Sequence, residues 1–128
     1  MAQVLLFNIA GDRRRKLRFL LTKLGIPCRE IAPERQASSL GELCGREGFD
    51  AAEDCGAPFS GEMLVMDSLS SFQFSALLDA MRREKLTVAL KAVVTDTNLG
   101  WSAQRLHSEL SAEHEAMRRA AGGSVHAK

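Results

Sequence analysis

Val4-Leu5-Leu6-Phe7-Asn8-Ile9 opens the chain as a short, nearly unbroken apolar run, and Met63-Leu64-Val65-Met66-Asp67 renews the pattern later. Neither stretch alternates apolar with polar residues. A strand with one face in water would alternate, so both runs read as strands covered on both faces. A helical pattern follows each. After the first, Ala10-Gly11-Asp12 forms a turn with Asp12 as the expected N-cap. Leu17, Leu20, Leu21 and Leu24 then fall within about 100° of one another on a helix of ~3.6 residues per turn. The spacing predicts a helix over about 13–24, closed by Gly25 and Pro27. After the second run, Ser68 to Ser71 supply capping hydroxyls, and Phe74, Leu77, Leu78 and Met81 share one face. Arg82 to Lys85 bring cations to the negative end of that helix.

Weaker strands complete each unit: Cys28 to Ile31 or Ala32, stopped by Pro33, and Thr87 to Thr95. Strand–helix–strand thus occurs over 4–32 and again over 63–95, a pseudo-duplication that sets Leu20-Leu21-x-x-Leu24 against Leu77-Leu78-x-x-Met81. Two folds fit it. One is an α/β domain whose four parallel strands run in the order 2-1-3-4, with helices on both faces. The other is a ferredoxin-like α+β sandwich with one open face. The unbroken apolar runs favour the parallel sheet. Ser38 to Glu47 reads as a short helix weakened by Gly41 and Gly45, and 46–61 as a loop. The last helix, about 101–119, is expected to bury Ala103, Leu106, Leu110 and Met117. The expectation is one domain over 1–119 with a disordered tail over 120–128.

The composition narrows the function. A net charge of +1 argues against a dominant nucleic-acid or membrane-surface role, and six Phe, one Trp and no Tyr leave few platforms for base stacking. Cys28, Cys44 and Cys55 show no zinc-ligand spacing and read as free thiols of a reducing compartment. The N-terminal run lacks signal-peptide features, and no apolar stretch approaches the ~20 residues of a membrane span. The expected location is cytoplasmic.

Few motifs carry chemistry. Arg13-Arg14-Arg15-Lys16-Leu17-Arg18 could capture an anion at a helix start, but the preceding turn is no glycine-rich phosphate loop, so a solvated basic face is expected. His107 and His114 stand two turns apart, about 10 Å, too far for a shared metal; a solvated helix is expected and no metal or cofactor is assigned. No catalytic context surrounds any Ser or Cys. Asp67 ends its strand and, in the parallel fold, faces the same rim as Asn8 and Thr95. Lys91 interrupts an apolar strand, which points to a sheet edge or a paired partner. Thr95 and Asn98 can cap amides or bind a ligand, and Trp101 can anchor packing or wall a pocket.

Leu90-Lys-Ala-Val-Val-Thr95, Thr97-Asn98-x-x-Trp101 and Glu109-Leu-x-x-Glu113-His114 resemble an uncharacterised bacterial domain family known as a domain of unknown function. The resemblance is best over about 62–119, and Ile31-Ala-Pro33 to Leu43-Cys-Gly45 is similar to the family's N-terminal half. It implies a small bacterial α/β domain and no particular activity. The reading that follows is a non-catalytic domain binding a small polar ligand or a protein partner near Asn8, Asp67, Lys91, Thr95, Asn98 and Trp101. An alternative is a small enzyme with Asp67 as base and Lys91 as electrostatic stabiliser. A second is weak nucleic-acid binding through Arg13–Arg18, expected to be unimportant beside the first. A homodimer covering one sheet face is a further expectation, above all if the fold is ferredoxin-like.

Overall fold

A computed structural model describes residues 2–49 and 57–126, with side chains as far as 119. The apolar runs become the central strands β1 (Gln3–Phe7) and β3 (Met63–Asp67), flanked by β2 (Cys28–Ile31) and β4 (Leu90–Val93) in the order β2-β1-β3-β4. The strand order and the two covered faces are those expected. The direction differs. β1 pairs β2 and β3 pairs β4 in parallel, but β1 and β3 run antiparallel, with Gln3 opposite Asp67 and Phe7 opposite Met63. A strand buried on both faces tolerates a neighbour of either direction, so its composition does not encode this choice. The connection after β2 decides it: it leaves and re-enters the sheet at the same rim.

Helices α1 (Gly11–Lys23) and α3 (Ser71–Arg83) cover one face, where Leu17, Leu21, Leu77 and Met81 pack on Val4, Leu6, Leu64 and Met66. Helices α2 (Leu40–Leu43) and α4 (Ala103–His126) cover the other, placing Leu40, Leu43, Ala103 and Leu106 against Leu5, Phe7, Met63 and Val65. Burying this much apolar side chain, at roughly 1.5–3 kcal/mol each, is what holds the three layers together. Among the described residues no helix is long and apolar enough to cross a membrane.

The two strand–helix–strand halves share backbone features, in a register different from the one expected. Asn8 and Ser68 leave their strands with φ of 61° and 62°, and Gly25 and Lys85 end their helices with φ of 72° and 55°. Both pairs are sixty residues apart. Leu17 therefore corresponds to Leu77 and Leu21 to Met81, three residues from the pairing of the Leu doublets. A helical pattern that repeats every three or four residues hides a slip of that size.

Several boundaries move for local reasons. α1 starts earlier, from Ala10, with no side-chain cap, and Asp12 sits in its first turn beside Arg15. α2 is only one turn long, capped by the Ser39 hydroxyl, as Gly41 and Gly45 foretell. β4 is shorter than 87–95 because Asn98 draws the chain into a turn. Phe74 and Met117, expected in the core, are 37% and 72% exposed, because Leu77, Ala80 and Met81 supply the buried stripe of α3 and α4 outruns the sheet. The expected disordered tail at 120–128 lies outside the described side chains, as does Cys55.

Candidate functional site

The carboxyl ends of the parallel pair β3 and β4 separate into an open cleft of about 500 Å³. One wall is the start of α3, with Ser70, Ser71 and Phe74; the other is Val93, Thr95, Asp96 and Leu99. Such a strand-end crevice is where open α/β sheets commonly bind ligands. α3 begins there because Ser70 makes a reciprocal capping box with Gln73: the hydroxyl accepts from the Gln73 amide at 3.1 Å and the Gln73 side chain accepts from the Ser70 amide at 2.9 Å.

Asp67 and Arg46 also line this cleft. The Asp67 carboxylate is only 2% exposed and is ion-paired with Arg46. Gln3 Nε2 and the Ser68 hydroxyl donate to it at 2.9 Å each. Burial alone would raise its pKa; the hydrogen bonds from Gln3, Ser68 and Arg46 outweigh that and hold it below the ordinary 3.8. A carboxylate so fully engaged is a poor proton acceptor. Next to it, burial and then the Asp67 charge push the Cys44 thiol up to about 12, so it stays protonated and unreactive at neutral pH.

The six residues singled out from the sequence separate in space. Asp67 and Thr95 line the cleft. Asn8 stands at the opposite rim, because β1 is antiparallel to β3; its amide donates to the carbonyls of Phe59 and Gly61 at 3.1 and 3.0 Å. Lys91 lies opposite Leu64 on the α1–α3 face, and its ammonium donates to the Val88 carbonyl at 3.0 Å. Asp67 alternates onto the other face three residues further along, so the two do not meet. Asn98 is spent inside its own turn: Oδ1 accepts from the Thr95 amide at 2.8 Å, and Nδ2 donates to the Val93 carbonyl at 3.1 Å. Trp101 packs into the α4 core beneath the Arg105 guanidinium, 4.2 Å from the ring.

Sequence reasoning missed Arg46, which a glycine-rich loop carries back to Asp67 from 21 residues away. It also missed Phe74 as a wall, having placed it in the core. The Ser68–Ser71 cluster was visible, but only as a cap.

The basic run is the solvated face expected, with Arg14, Arg15, Lys16 and Arg18 exposed, and its arginines also pair: Arg13 with Glu62, Arg14 and Arg18 with Glu30, and Arg15 with Asp12. One further reading changes. His107 is not simply solvated, since its ring stacks on Phe59 with centroids 4.1 Å apart. Burial lowers its pKa below the ordinary 6.5. Phe59 is itself held by buried Gln36, which donates to its carbonyl at 3.0 Å and accepts from its amide at 3.2 Å. Among the described residues no cluster of three or more His, Cys, Asp or Glu side chains could hold a metal ion.

No curated protein and no solved structure matches the chain. Residues 62–117, running from the start of β3 into α4 and including every lining residue named above except Arg46, are similar to the family described as a domain of unknown function, DUF3783.

Proposed function

We propose that the chain is a non-catalytic binding domain of a bacterial cytoplasmic protein, holding a small polar ligand or a segment of a protein partner at the β3–β4 strand ends. The observation that carries the reading is the open cleft of about 500 Å³ itself, large enough for a metabolite-sized ligand and walled by both hydroxyls and exposed apolar side chains. The chemistry around it supports binding over catalysis. Asp67 is satisfied, Cys44 is protonated, and Lys91 points elsewhere. The bacterial assignment rests on the family resemblance. The cytoplasmic one rests on Cys28 and Cys44, which are both free thiols.

Native mass spectrometry on untagged protein, purified gently from its source, tests the reading. A small-molecule adduct present in the wild type and lost in Phe74→Ala and Val93→Glu is the expected result. Both positions are exposed enough to change without unfolding the chain. An adduct retained by both variants overturns the placement.

A further inference from the structure

β4 is an edge strand, and α3 does not close over it. Lys91 and Val93 lie opposite Leu64 and Met66, on the α1–α3 side of the sheet, yet both are exposed. Beside them, Leu78, Met81 and Arg82 of α3, with Lys85 just beyond its end, line a second cleft of about 400 Å³ with Lys91. Phe74 and Leu78 are one helical turn apart, and Val93 and Lys91 are successive residues on one strand face. The two clefts, which share no lining residue, therefore lie one after the other along the groove-like seam between α3 and β4. From Phe74 to Arg82 the helix rises ~12 Å, the length of about four residues of extended chain.

The groove is chemically polarised. Its β3–β4 end offers apolar contact from Phe74 and Val93, 37% and 46% exposed. Its other end carries Arg82, Lys85 and Lys91, and no acidic residue lines that cleft among the described residues. Asp79 approaches Arg82 at 3.4 Å, but both groups are exposed, and such a pair is weak and easily exchanged. Addition of a strand through main-chain bonds is disfavoured: Asn98 already occupies the Val93 carbonyl, and a lysine stands in the middle of the edge. Recognition must run through side chains.

We infer that this groove docks an extended acidic segment of a partner protein. An apolar side chain of the segment sits between Phe74 and Val93, and carboxylates two or three residues along meet Arg82, Lys85 and Lys91. The inference rests on the binding reading of the strand-end cleft and names its occupant.

The test is fluorescence anisotropy on the full chain with a fluorescein-labelled hexapeptide of leucines and glutamates, against a counterpart with lysine for glutamate. The acidic peptide is expected to bind at least tenfold tighter than the basic one, and to weaken as salt rises. Arg82→Glu with Lys91→Glu should reduce its affinity at least tenfold, and Phe74→Ala should weaken it as well. Circular dichroism of these surface variants checks that each is folded. Equal binding of the two peptides, no binding at low salt, or a double charge reversal that changes affinity less than twofold overturns the assignment. So does a concentration-dependent dimer abolished by Lys91→Glu, which would make a second copy the occupant. If the small-molecule adduct of the previous experiment persists and the peptide neither binds nor displaces it, the occupant is wrong and the cleft reading stands.

Discussion

Gly25 and Lys85 end equivalent helices in the same left-handed conformation, φ 72° and 55°, with the next amide bonded back to the carbonyl of Leu21 in one half and of Met81 in the other. Glycine adopts that conformation freely and lysine does not. Lys85→Gly is therefore expected to stabilise the chain by about 1 kcal/mol, raising Tm by roughly 3–5 °C. Gly25→Ala should lower stability by a similar amount. Thermal denaturation of the two variants checks both signs, and no stabilisation by Lys85→Gly would mean that its side chain contributes more than the strain removes.

Asp67 links β1, β3 and the loop carrying Arg46, so Asp67→Asn should cost roughly 2 kcal/mol at neutral pH, the scale of charge-assisted bonds. The figure is held down because the Arg46 side chain, 40% exposed, can return to water. The pH dependence has a definite sign. The folded pKa lies below the unfolded 3.8, so the stabilisation is present above 3.8 and disappears as pH falls through the folded value. Urea denaturation at pH 7 should separate Asp67→Asn from wild type, and the gap should narrow as the pH is taken below 3.8.

His107 acts in the opposite part of the scale. Its folded pKa is lowered, so between that value and 6.5 the unfolded chain binds the extra proton and stability falls as the solution is acidified. His107→Phe keeps a ring against Phe59 and removes the titration. The difference in unfolding free energy between variant and wild type should grow in favour of the variant from pH 7.5 to pH 5. A constant difference would show that His107 does not titrate differently in the two states.

Gly41 is a packing glycine. A Cβ built there would lie 2.2 Å from Cγ of the Phe49 ring, which is a branch point close to its own backbone and has little freedom to retreat. Gly41→Ala should gain helix propensity in α2 and still destabilise by about 1–3 kcal/mol through overpacking. Gly41→Ala in a Phe49→Leu background should recover part of that loss; if it recovers none, Phe49 is not the obstacle.

What was readable in advance follows the range of each interaction. The helices, the four strands and their order came from local periodicity and from Val4–Phe7 and Met63–Met66 lacking polar alternation. The antiparallel join did not, because Leu5 or Val65 would be equally buried beside a neighbour of either direction. Asp67 and Thr95 both line the cleft because one ends β3 and the other closely follows β4. Asn8 was misplaced by the same rule once the join was drawn the wrong way round. Arg46, Gln36 and the His107–Phe59 stack depend on partners 21, 23 and 48 residues away, which no spacing along one chain reveals.

The antiparallel seam also bears on how the chain assembles. Each strand–helix–strand half can gather from nearby residues, whereas pairing Gln3 with Asp67 closes a loop of more than sixty residues, which makes it the pairing with the largest cost in chain entropy. Until then the inner edges of Val4–Phe7 and Met63–Met66 stand unpaired and apolar, each a template for the same strand of another molecule. Crowding during synthesis would therefore favour intermolecular strand exchange at this seam before any other part of the fold.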